Sequence, residues 1–273
     1  MAQRGVKFEK LSKQPLALVL IQIRFSPFMN IKEYVDKFQE MLLPLGFTNY
    51  QENPCLEVQI TPKGPRTTES KQWLFSSFNG YENVILDSKQ ITYQTADYNV
   101  FEEYYAKFQK ICDALVLSFP TFESSVIIQR LGLRYVNRII PINNNDSIDS
   151  YISEGFKIKQ APVYRVAEKI CTISQAGEVD IYADKKGIIV FRITQGEKGL
   201  FLPPDLMPNP PKMKITLPQG CVIGLIDIDH LHNIFEPQNY NKELLENLFF
   251  GMHDNSLRLF KSIVSEEGRK KWK

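Results

Sequence analysis

The chain has 273 residues, 43% hydrophobic and 23% charged. That is ordinary globular composition, with enough length to bury a sizeable core in one large domain or two small ones. Its 33 basic and 31 acidic residues leave a formal net charge of +2. This excludes a global electrostatic pull towards nucleic acid or an anionic membrane, so either would need a local patch. Four cysteines, Cys55, Cys112, Cys171 and Cys221, lie far apart with no paired C-x-x-C spacing. They read as reduced, buried thiols of a cytoplasmic protein and not as a disulfide framework or a zinc site.

The N-terminal MAQRGVKFEK has no apolar signal region. The longest apolar run, LALVLIQIRF from Leu16 to Phe25, falls short of the roughly 20 residues of a membrane helix. Rich in Val and Ile and stopped by SPF, it is expected to be a strand. Asn30 then has the chemistry of a helix cap, and Ile31, Tyr34, Val35, Phe38 and Leu42 fall on one helical face before Pro44 and Gly46 end it. From 55 to 96 the period changes to short alternating segments, CLEVQIT, QWLFSSF, NVILDS and QITYQTA, an antiparallel meander with Asn79-Gly80 as a tight turn. Asp97 or Asn99 is expected to cap the next helix, whose stripe of Phe101, Tyr104, Tyr105, Phe108, Ile111, Cys112, Leu115 and Phe119 reads as core before Pro120 closes it.

The long strand SSVIIQRLGLRYVNRIIPI follows, and then the polar NNNDSIDS, Asn143 to Ser150, which is the best boundary in the chain. Beyond it, strands are expected at VYRVAEKICTIS, EVDIYAD and GIIVFRITQ, with ADKKG as a hairpin turn. LPPDLMPNPPK, residues 202–212, is an ordered excursion or a flap. CVIGLIDID is a strand, a helix runs from about Asn241 to Ser265, and EEGRKKWK is a charged, solvated tail. These elements predict an α+β fold of antiparallel curved sheets packed against long helices, in two tightly packed halves, 1–145 and 146–273. Each half has antiparallel strands followed by a helix, but no residue-level repeat links them.

The blocks IQIRFSP, YNVFEEY, RLGLRYVNRI, LIDIDH and MHDNSLRLFKSIVSEEGR follow one another over nearly the whole chain. In this they resemble a sporadically distributed family of uncharacterised bacterial proteins of about this length, with the GLRYVNRI-type block its most specific part. The resemblance implies no established activity and no catalytic residue. The patchy occurrence of the family implies accessory genes, such as phage-defence cassettes.

The functional handle is the apolar strand QRLGLRYVNRI, which carries three arginines. Alternation puts Arg130, Gly132, Arg134, Val136 and Arg138 on one face, and Gln22 and Arg24 of the first strand likewise face away from its apolar side. If the two strands are neighbours, Gln22, Arg24 and Arg134 converge, and Gly132 leaves room for something to approach the backbone. Guanidinium groups are always charged, and burying several requires acids or an anionic ligand. The candidate acids are Glu57, Asp87, Asp227 and Asp229, and Arg192 is a further partner for Asp227 and Asp229. Gln22, Arg24, Arg130, Arg134 and Arg138 are therefore candidate ligand-binding residues for an anionic small molecule such as a nucleotide.

Three readings stay open. The first is a cytosolic, non-catalytic binding protein with that arginine face. The second is an enzyme acting on a phosphorylated or nucleotide substrate, with Asp227, Asp229, His230 and His253 as acid/base or metal groups. The third is a structural subunit of a protein complex. The Asp/His cluster matches no standard metal signature, no phosphate loop or nucleophile elbow occurs, and no cofactor is implied. A protein partner or a homo-oligomer fits the composition, whereas nucleic acid has thin support: a short basic tail and Tyr98, Tyr104 and Tyr105, which core packing explains better.

Overall fold

The computed structural model describes residues 14–61, 64–143, 146–157, 172–180, 187–197, 202–214 and 222–273. Nine strands occur among the described residues, in chain order: β1 (Leu16–Phe25), β2 (Phe47–Thr61), β3 (Gly64–Ser77), β4 (Glu82–Asp87), β5 (Gln90–Thr95), β6 (Ile127–Ile139), β7 (Thr172–Asp180), β8 (Gly187–Glu197) and β9 (Val222–Asn239). The described α-helices are α1 (Val35–Leu42), α2 (Phe101–Ser118), α3 (Phe122–Ser125), α4 (Lys242–Ile263) and α5 (Glu266–Lys271).

All nine strands join one antiparallel sheet in the order β2-β3-β4-β5-β1-β6-β9-β8-β7. This overturns the expectation of separate curved sheets packed against long helices. The cause is hydrogen bonding: both edges of β6 carry backbone donors and acceptors that must be satisfied, and they pair with β1 on one side and β9 on the other, so strands from the two expected halves share one sheet. The helices are short beside it. Three of the five described ones have eight residues or fewer. The longest, α4 with 22 residues, spans about 33 Å against about 60 Å for the 18 residues of β9.

The topology is repeated within this single sheet. β1 leads through α1 into a meander whose last strand, β5, returns to pair with β1, and α2 follows. β6 leads into a second meander whose last strand, β9, returns to pair with β6, and α4 follows. β1 and β6 lie side by side at the centre with Gln22 opposite Gly132. A two-fold rotation through that pair carries Ile21-x-Ile23-Arg24-Phe25 onto Leu131-x-Leu133-Arg134-Tyr135. The buried stripe of α2 (Tyr104, Phe108, Ile111, Leu115) falls at one constant spacing from that of α4 (Leu245, Phe249, Met252, Ser256). Five residues of β-strand are too few to stand out as a repeat until the pairing aligns them.

Period-two alternation makes the sheet two-faced. Ile21, Ile23, Phe25, Tyr93, Leu131 and Leu133 point to the side covered by α1, α2 and α4 and form the main core. Ile226, Ile228, Ile189 and Ile193 continue it against Phe260 and Ile263. Gln22, Arg24, Arg130, Arg134, Asp227 and Asp229 fall on the opposite, open side.

Several local expectations are corrected. Met29–Tyr34 is a 3-10 turn that contains Asn30, so Asn30 caps nothing, and α1 begins at Val35. Gly46 does stop that segment, in the left-handed region at φ 92°. The N-cap of α2 is Val100, whereas Asn99 donates to Glu103. Of the two strands expected over 163–174 and 178–184, the described parts belong to one strand, β7; residues 163–171 and 181–186 lie outside the described residues. β9 does not end at Asp229 but continues to Asn239. The charged tail is helix α5, capped by the Ser265 side chain. It seats Trp272, 4% exposed, against Tyr151, with Lys271 bridging Asp146 and Glu267.

Candidate functional site

Among the described residues, the open side of the sheet is only partly covered. Residues 202–214 cross it as an ordered strap that includes a 3-10 turn at Pro204–Leu206. Leu202, Leu206 and Met213 pack on Leu18, Val136 and Leu225. Asn209 is the far latch: its side chain accepts from Asn53 at 3.1 Å and donates to Gln72 at 2.8 Å, and its carbonyl accepts from Asn83 and Gln94. The Lys212 N–H donates to the Gly80 carbonyl at 2.7 Å. The proline-rich composition predicts an excursion; the amide hub that fastens it has no signature in sequence.

The five nominated residues go to three places. Arg134, 5% exposed, is the hub of an acid cluster. Its Nε and Nη2 donate to the two oxygens of Asp227 at 2.7 and 2.8 Å, its Nη1 and Nη2 reach Asp205, and Asp229 lies 4.0 Å away. Asp227 is fully buried and also accepts from Arg192 at 3.3 Å. Burial alone would lower the affinity of Arg134 for its proton, but the bonds to Asp227 and Asp205 outweigh it and hold the guanidinium firmly charged. Arg134 in turn holds the Asp205 carboxyl below its usual range. Two of the four nominated acids, Asp227 and Asp229, do meet the arginines. Asp205 was missed, because nothing in a proline-rich loop says which strand it crosses.

Arg138 sits at the sheet end, 2% exposed, in the wall of a cavity of about 190 Å³ shared with Leu16, Asp97, Tyr98, Met213 and Lys214. Burial lowers its proton affinity.

Gln22, Arg24 and Arg130 form the third place. β1 and β6 are neighbours, as the convergence required, and the register sets Arg24 directly opposite Arg130 and Gln22 opposite Gly132. Arg130 Nη2 donates to Gln22 Oε1 at 3.4 Å, and Gln22 Nε2 donates to Thr92 at 3.1 Å. Among the described residues no carboxylate makes an ion pair with Arg24 or Arg130, and the buried Nε of Arg130 has no hydrogen-bond partner. Burial and the facing Arg24 both lower the proton affinity of Arg130, with distant Asp229 opposing them.

The Asp/His cluster is divided by the sheet. Asp227 and Asp229 face the open side. His230 and His232 alternate with them and point under α4, where the His230 Nδ1–H donates to the Met252 carbonyl at 3.0 Å. His253 lies on the same side, stacked on Phe101 at 4.2 Å with Nδ1 2.8 Å from the Tyr135 hydroxyl. The acids and histidines of the catalytic alternative therefore do not line a common cavity. Tyr98, Tyr104 and Tyr105 are packed in the helix-side core. No described helix is long and apolar enough to cross a membrane. No family model matches the chain, and no curated protein matches it.

Proposed function

We propose that this chain is a cytoplasmic binding protein whose sheet face opposite the helices holds an anionic small molecule on Arg24 and Arg130, with Gln22 beside them. One observation carries the reading: two guanidiniums stand directly opposite each other on paired strands, one of them half-buried, with no described acid to neutralise either. Like charges directly opposite on a sheet are destabilising, and a fork of donors fits phosphate or carboxylate. Arg134, farther along β6 on the same face, is already satisfied by protein acids.

Titration calorimetry and thermal shift with inorganic phosphate, ethyl phosphate and AMP test this. A ligand at about a hundredfold its Kd stabilises the folded state by roughly 2.7 kcal/mol. Such a shift is expected in the unmodified protein and is lost in Arg24→Gln and Arg130→Gln. The unliganded variants should be at least as stable as the parent, because a repulsive pair has been removed. No shift with any probe, or one that survives both substitutions, overturns the reading.

A further inference from the structure

The open face carries more than a cationic pair. Along β6, alternation places Arg130, Gly132 and Arg134 in a row, with roughly 13 Å between the Cα atoms of Arg130 and Arg134. Across the row on β9 stand Asn233, Leu231 and Asp229, opposite Arg130, Gly132 and Arg134 in turn. At one end, Arg24 and Arg130 have no acid of their own among the described residues. At the other, two arginines, Arg134 and Arg192, meet three carboxylates, Asp205, Asp227 and Asp229. One negative charge is in surplus there.

Asp229 holds that surplus most loosely. Its nearest described cation, Arg134, is at 4.0 Å, while Asp227 and Asp205 take the close positions on the guanidinium. Its carboxylate is 24% exposed. Burial raises its proton affinity, the mark of an anion short of compensation. Between the two ends lies Gly132. A Cβ there would meet nothing closer than the Gln22 Cβ at 3.6 Å, an ordinary contact. Packing thus does not require glycine, and Gly132 itself is buried between the Gln22 and Leu231 side chains, which separate the charged ends.

Resting on the anion-binding reading above, we infer that the ligand of this face is dipolar: a small anion carrying an ammonium group a few bonds away, with the anion on Arg24 and Arg130 and the ammonium on Asp229. Such a ligand neutralises both ends at once. A simple anion leaves Asp229 in surplus, and an extended polyanion would bring negative charge against it.

Ethyl phosphate, aminoethyl phosphate and aminobutyl phosphate share the anion and differ in the ammonium and its reach, so their titration into the unmodified protein is the test. One of the aminoalkyl phosphates is expected to bind tighter than ethyl phosphate by about tenfold or more, the worth of one charge-assisted contact. Asp229→Asn should remove that advantage without weakening ethyl phosphate binding, since it removes a negative charge that faces the anion. Should this variant not fold, hydroxyethyl phosphate on the unmodified protein replaces it, and it should bind like ethyl phosphate. Equal binding of ethyl and aminoalkyl phosphates would overturn the dipolar ligand and leave the anion site standing. Binding of none would remove the anion site as well.

Discussion

Substituting Arg134 by methionine should unfold the protein more readily than any surface change, and the size of the loss follows from burial. Asp227 is 1% exposed and receives two hydrogen bonds from Arg134 at 2.7 and 2.8 Å. Removing the guanidinium leaves a buried carboxylate whose remaining described cation, Arg192, is half-exposed and 3.3 Å away. Breaking a buried pair from one side costs about 3–5 kcal/mol. Arg192 offsets part of this, so the lower end, about 3 kcal/mol, is expected. For a chain of this size that lowers Tm by on the order of 10 °C. The double variant Arg134→Met/Asp227→Leu removes both buried charges, releases Asp205 and Arg192 to solvent, and should recover most of the loss. Urea and thermal denaturation of the parent, both single variants and the double variant complete the cycle. A loss under about 1 kcal/mol for Arg134→Met would refute the strut, since that is the range of an exposed pair. A double variant as unstable as the single would show that side-chain shape, and not charge, holds this part of the sheet.

Two further outcomes follow from buried groups elsewhere. Burial pushes the His230 imidazole from 6.5 down to about 4. The unfolded chain therefore binds its proton first as pH falls. The associated stability is complete above about pH 6.5 and declines towards pH 4, by roughly 3 kcal/mol in all, with partly buried His253 acting in the same direction. His230→Gln should flatten urea-denaturation stability between about pH 6.5 and 4.5, and an unchanged slope would assign the acid sensitivity to other groups. Trp272→Ala should cost about 3–5 kcal/mol by emptying the space between Tyr151 and Phe260, whereas a solvated tail would cost nothing measurable.

Much of this molecule is legible residue by residue. Period-two alternation placed Gln22, Arg24 and the β6 arginines on a face away from Ile21, Ile23, Leu131 and Leu133, because a strand has no other way to present its side chains. Helical spacing located the buried stripes of α1, α2 and α4, since residues three and four apart share one side of a helix. Left- and right-hand neighbours in a sheet are another matter. Pairing energy comes from backbone groups that every residue carries, so nothing local to β6 says that it joins β1 to β9. The expectation of separate sheets failed at that point.

The candidate site divides along the same line. The sequence by itself determined that several guanidiniums would enter a sheet and need negative charge there, because their ionisation and the alternation of the strand are local properties. Only the tertiary structure decided which of them receive it. Arg134 is met by Asp227 across one strand pairing and by Asp205 from a strap some seventy residues away, while Arg24 and Arg130 meet each other. Coulomb interactions depend on distances in space, and those are set by register, by the course of the strap over the open face and by which side of the sheet the helices cover.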